Sequence, residues 1–173
     1  MYQRILVPVD GSETSQRGLE EAIGLAKLTH GRLRFLHAVD DLSLALAMDA
    51  YSGQSGEWMK QLREDGRRIL DAAKASADAA GVEADTVLCD RATGAVYEQV
   101  TTEADIWHAD LIVIGTHGRR GVNRLVMGSS AENILRHAHV PVLLVRAAAA
   151  KAKDESAHES VKVHLPSAAL SLE

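Results

Sequence analysis

The residues best equipped for chemistry fall in one stretch, Gly115 to Ser130, which reads GTHGRRGVNRLVMGSS. Two residues separate Gly115 from Gly118 and nine separate Gly118 from Gly128, with Ser129 and Ser130 following directly. Gly115 closes the apolar run LIVI, where a glycine lets the backbone leave a strand sharply and leaves room for a ligand against the main chain. Gly118 supplies backbone freedom and an exposed N–H. Gly128, Ser129 and Ser130 open a helix, whose unpaired N–H groups and positive dipole end attract phosphate. The serines add hydroxyl donors, and Arg119, Arg120 and Arg124 add cations. A plain strand-to-helix connection capped by serine needs neither this length nor this composition. The stretch contains no GxxxxGK[ST] and no G-x-G-x-x-G, so it is neither a Walker loop nor a Rossmann fingerprint. It reads as a phosphate cradle, with the kind of phosphate left open.

Such a loop needs a scaffold, and strand-length apolar runs alternate with segments of helical period along the chain. Ile5–Val9 is the first run, apolar at nearly every residue as suits a strand buried on both faces. The DGSETS that follows offers Ser12 as an N-cap and Glu13 for the helix dipole. Leu19, Ala22, Ile23 and Ala26 then form one face of a helix reaching His30, with Gly31 as its stop. Leu33–Val39 is the second strand, residues 40–56 read as a loop, and a long helix runs from about Glu57 to Ala80 before Gly81. Thr86–Leu88 centres a short third strand. A helix carrying Val96, Val100 and Ala104 follows Gly94. Leu111–Ile114 is the fourth strand, Ser129–His137 a helix and Val140–Val145 the fifth strand. Strict alternation predicts a single doubly wound α/β domain with a mainly parallel sheet and helices on both faces. Ligands of such sheets bind beyond the carboxyl ends of the strands. Those ends include the polar turn after Val9 and the glycine-rich loop after Ile114.

The sequence resembles the universal stress protein family, and within it the ATP-binding subgroup with the signature G-x2-G-x9-G-[ST], which Gly115, Gly118, Gly128 and Ser129 fit without a gap. The opening ILVPVDGS, the LHAVD after the second strand, ADLIVIGTHGRRG and the closing HVPVLLVR carry the resemblance over residues 1–146. It implies five parallel strands in the order 3-2-1-4-5 with ATP bound across their ends. Pro8, Val9 and Asp10 would then flank the nucleotide, with Asp10 near the ribose or a phosphate-bound metal. Val39 would contact adenine mainly through its backbone. Gly115, Thr116, Gly118 and Arg119 would line ribose and phosphates, while Gly128, Ser129 and Ser130 would hold the phosphates. Mg²⁺ accompanies triphosphates in general. Residues 147–173 fall outside the resemblance and form a tail that acts as a linker or docks on the domain or a partner.

Other residues carry weaker signals. Asp10 either completes an Asx-turn through DGS or reaches a ligand. His117 sits between two loop glycines, where it touches phosphate or points outward. His108, His137 and His139 have no ligand-spaced partners and read as surface or edge residues. Cys89 has no activating neighbour and reads as a filler, and Trp58 as a packing residue. The single cysteine excludes an intrachain disulfide and fits a reducing, cytoplasmic setting. A formal net charge of −5 opposes a nucleic-acid surface, and no apolar run reaches the ~20 residues of a membrane span. Val140–Val145 would be an edge strand, and a second copy of itself in a homodimer is the simplest cover. These features favour a nucleotide-binding sensor or regulator read by a partner protein. The alternative is an ATPase or ATP-dependent enzyme on the same scaffold. Such an enzyme needs a residue that positions water, for which only Asp10 and His117 offer themselves. The paired glycines of the SGGxDS loop of ATP pyrophosphatases are absent from VDGSETS.

Overall fold

A computed structural model describes residues 1–39, 55–90, 94–116 and 128–146. In chain order the elements are β1 (Arg4–Pro8), α1 (Glu13–Thr29), β2 (Arg32–Ala38), α2 (Ser55–Ala79), β3 (Ala84–Cys89), α3 (Val96–Trp107), β4 (Leu111–Gly115), α4 (Ser129–His137) and β5 (Val142–Val145). The strands form one five-stranded sheet in the order β3-β2-β1-β4-β5, and every pairing is parallel. The alternation read from the sequence thus resolves into the expected doubly wound topology, with all carboxyl ends on one edge.

Each sheet face has its own apolar layer. Ile5, Val7, Leu33, Phe35, Leu111 and Val113 pack against Leu19, Ala22 and Ala26 of α1 and Leu70, Ala73 and Ala77 of α2. Leu6, Leu36, Ile112 and Ile114 meet Val100, Ala104 and Trp107 of α3 and Ala131 and Ile134 of α4. This two-sided cover explains why β1 and β4 are apolar on consecutive residues. With one phenylalanine in the chain, branched aliphatic side chains fill both layers.

Several boundaries differ from the sequence reading for local reasons. At the end of α1 the left-handed residue is His30 (φ 53°), not Gly31. Gly31 is instead required by crowding, since a Cβ there would lie 2.6 Å from the Tyr2 carbonyl oxygen. Gly81, with φ 72°, follows α2 as expected. β3 is longer than its apolar centre, because its register with β2 runs from Ala84 opposite Leu33 to Cys89 opposite Ala38. β5 begins at Val142 rather than Val140. The Pro141 carbonyl accepts from the Ile112 N–H at 3.0 Å, so the chain joins the sheet just ahead of the strand. α2 starts at Ser55, within what the sequence suggested was loop; the rest of that loop, 40–54, lies outside the described residues.

Candidate functional site

The carboxyl edge of β1 carries a closed hydrogen-bonded turn. Asp10 accepts the Ser12 N–H on Oδ1 at 2.9 Å, an Asx-turn. Ser12 caps α1 by accepting the Ser15 N–H at 3.2 Å, and the Ser15 hydroxyl accepts the Asp10 N–H at 3.1 Å. Gly11 at φ 78° provides the left-handed step that lets the three bonds close together. The half-buried Asp10 carboxylate is thereby held at a strand end, so its Asx-turn role and its candidacy as a site residue are compatible.

This turn lies against the end of β4. A Cβ on Gly115 would sit 2.6 Å from the Thr14 carbonyl oxygen and 3.0 Å from the Ser15 nitrogen. Glycine at 115 therefore has a different cause from the expected one, since the missing side chain admits the first turn of α1 and not open space for a ligand. Gly18 faces the same contact, with its Cβ position 3.3 Å from the Gly115 nitrogen. Thr116, buried beyond the strand, donates its N–H to the Val145 carbonyl at 2.9 Å. Its carbonyl accepts the Gly128 N–H at 2.8 Å. That bond joins the two ends of the glycine-rich loop and sets the start of α4 beside the end of β4. Gly128 is the N-cap of α4 and contributes no side-chain cap, while Ser129 and Ser130 follow exposed in the first turn. Glu132, also in that turn, is paired with Arg136 at 2.8 Å, which offsets its charge. Ser129, Ser130 and the helix dipole therefore present donors suited to an anion.

Of the candidate residues, Pro8, Val9, Asp10, Gly115, Thr116, Gly128, Ser129 and Ser130 gather on this edge through those contacts. Val39 lies on the same edge at the end of β2, buried, with its N–H already given to the Cys89 carbonyl at 2.9 Å. Gly118 and Arg119 lie outside the described residues, as do His117, Arg120 and Arg124 and the side chain of Trp58. The sequence reading missed His37 and Ser15. His37, on β2, is buried and brings Nδ1 within 2.7 Å of the Val9 carbonyl oxygen. Its signal was present as a polar residue continuing the Leu33–Phe35 alternation on a buried face. A cleft of about 460 Å³ opens between α1 and α2, walled by Val9, Gly11, Leu19, Ile69 and Ala73 with the Asp65–Arg68 ion pair; it shares only Val9 with the candidate set. Among the described residues no group of three or more His, Cys, Asp or Glu side chains could hold a metal ion. Nor is any helix among them long and apolar enough to cross a membrane.

Fold and geometry together define a parallel α/β protein in which an Asx-turn at the end of β1 lies beside Thr116 and Gly128, the hydrogen-bonded ends of the glycine-rich stretch. The universal stress protein family profile matches residues 1–146, and the chain belongs to that family. It is 32% identical over 149 residues to a universal stress protein of Methanocaldococcus jannaschii, covering 84% of this chain and 83% of that one. A universal stress protein structure from Burkholderia pseudomallei superposes with a TM-score of 0.69 at 35% identity, covering 84% of this chain and 97% of the other. A universal stress protein solved in complex with cAMP superposes at 0.59 with 25% identity, covering 84% and 97% of the two chains.

Proposed function

We propose that this chain binds an adenine nucleotide, ATP with Mg²⁺ foremost, across the carboxyl ends of β1 and β4, and works as a nucleotide-dependent sensor or regulator in a cytoplasmic stress response. The observation that carries the reading is the bond from the Gly128 N–H to the Thr116 carbonyl. It holds the two ends of the glycine-rich stretch together and sets exposed Ser129 and Ser130 at a helix start, an arrangement suited to an oligophosphate. The choice of adenine rests on the family signature and on the relative solved with cAMP. Mg²⁺ would be held chiefly by the phosphates, with the Asp10 carboxylate as the protein ligand, because Mg²⁺ commonly takes one or two carboxylates beside phosphate oxygens. In this reading residues 1–146 are the nucleotide-binding unit and residues 147–173 an appended linker or docking segment. The chain would pair through β5 as a homodimer, and occupancy would be read by a regulatory protein.

A thermal-shift series with ATP, ADP, AMP, cAMP and GTP, with and without Mg²⁺, tests the reading on protein freed of copurified ligand. A nucleotide at a hundred times its dissociation constant should stabilise the fold by about 2.7 kcal/mol. Absence of any shift with every adenine nucleotide would overturn it. Ser129→Asp sharpens the test, since an acid in the first turn favours the helix dipole but repels phosphate. Its expected signature is an unchanged or higher melting temperature without ligand, together with a lost nucleotide shift.

A further inference from the structure

His37 is a buried polar side chain at the alternating position of β2 that follows Leu33 and Phe35, where an aliphatic residue would carry no desolvation cost. What distinguishes it is its partner. A carbonyl oxygen can only accept, so the 2.7 Å contact requires that Nδ1 carry the proton and donate to Val9. Val9 also gives its N–H to the Leu36 carbonyl at 2.8 Å. Both backbone polar groups of the residue ahead of Asp10 are thus tied to β2, one through the ladder and one through the imidazole. The ring is held from the other side by α2. A Cβ on Gly66 would fall 2.7 Å from His37 Cδ2 and 2.7 Å from Leu88 Cδ1, so glycine lets the helix backbone close onto the imidazole. Beyond Val9 the chain enters the Asp10–Ser15 turn, closed by its own three hydrogen bonds. The turn is placed from two sides, by the close approach of Thr14 and Ser15 to Gly115 and by the way Val9 is held at its start.

We propose that His37 is a positioning residue for the ligand site: its Nδ1–H fixes the Val9 carbonyl and thereby sets where the Asp10 carboxylate and the α1 cap stand relative to the end of β4. The inference rests on the proposed nucleotide reading for its functional consequence, though not for the anchor itself. A turn that occupies its competent position about a tenth of the time binds about tenfold more weakly.

The test compares His37→Leu with His37→Asn in the full chain. Leucine keeps apolar volume and removes the donor; asparagine is smaller but returns an N–H donor close to the place of Nδ1. Titration calorimetry with Mg·ATP should give about tenfold weaker binding for His37→Leu, and binding within about threefold of the parent for His37→Asn despite its looser packing. Equal affinity for His37→Leu and the parent, or an equal loss in both variants, would overturn the proposal. Amide hydrogen exchange on ligand-free protein provides the second readout. Exchange at Asp10, Gly11 and Ser12 should quicken in His37→Leu while the β4 amides stay protected. Unchanged exchange at those three residues would also overturn it. If the parent binds no nucleotide, the functional reading fails, and the exchange measurement still decides the anchor.

Discussion

Gly115 shows how much a single missing side chain can settle. Its Cβ position is 2.6 Å from the Thr14 carbonyl oxygen and 2.7 Å from its carbon, both backbone atoms of a helix start that cannot swing aside. Gly115→Ala should therefore cost about 3 kcal/mol, the upper part of the usual overpacking range, measured as a lower urea midpoint at unchanged slope. The sequence offered ligand space as the reason for that glycine and missed the packing reason, because a contact between β4 and α1 has no signature within either segment. Tyr97 gives a second residue-scale expectation. Its hydroxyl donates to the Glu98 carboxylate at 3.1 Å, and that bond, the carboxylate charge and slight desolvation raise its pKa above the ordinary phenol value. The neutral phenol is then the form the fold favours. Its contribution is complete below the ordinary value near 10 and is lost as the pH climbs through the raised one. In a variant with Tyr2 and Tyr51 changed to Phe, tyrosinate absorbance should rise at higher pH than for a free phenol. Glu98→Gln should bring the transition back down.

At the scale of elements, α1 sorts its glycines by surroundings. Nothing lies within 4 Å of a Cβ built on Gly24, which is exposed in mid-helix. Gly24→Ala should therefore stabilise the protein by about 0.8–1 kcal/mol, seen as a higher denaturant midpoint, the opposite sign to Gly115→Ala. On β2, the Arg34 guanidinium reaches Asp85 of β3 and Glu103 of α3 at 2.6 and 2.8 Å and stacks 4.7 Å from the Trp107 ring centre. The Asp85 hydrogen bond is the largest influence on Arg34 and, with Glu103, outweighs desolvation, so its pKa is raised. Arg34→Met keeps much of the stem over Trp107 and strands Glu103, whose side chain is only 13% exposed. About 1.5–3 kcal/mol of lost stability is expected, measured by urea unfolding at neutral pH. These elements also show what a sequence can reveal. β1 and β4 were legible because burial on both faces forces unbroken apolar runs. β3 was legible only at its centre, because Asp85 and Thr86 are exposed on an edge and strand length there is set by register with β2. The glycine-rich loop and Asp10 stood out by composition. His37 did not, because its partner is a backbone carbonyl on a neighbouring strand.

For the whole molecule, the two edges of the sheet differ in a way that bears on assembly. β3 presents Asp85, held by Arg34, and exposed Thr86, polar groups that discourage strand addition. β5 is VLLV, half-buried at Val142, Leu144 and Val145 and 41% exposed at Leu143. An apolar strand of this kind left open invites another copy, and a two-fold axis through β5 would bury Leu143 against its counterpart. Sedimentation of the parent chain across micromolar concentrations should then show a dimer. Leu143→Asp would bring two like charges together at that axis and should yield a monomer, whereas Thr86→Asp on the opposite edge should leave the dimer intact. The described site residues all come from one protomer, so the Leu143→Asp monomer should bind Mg·ATP with an affinity close to that of the dimer. A dimer that survives Leu143→Asp would place the interface elsewhere. A monomer that has lost binding would mean that the partner copy completes the nucleotide site.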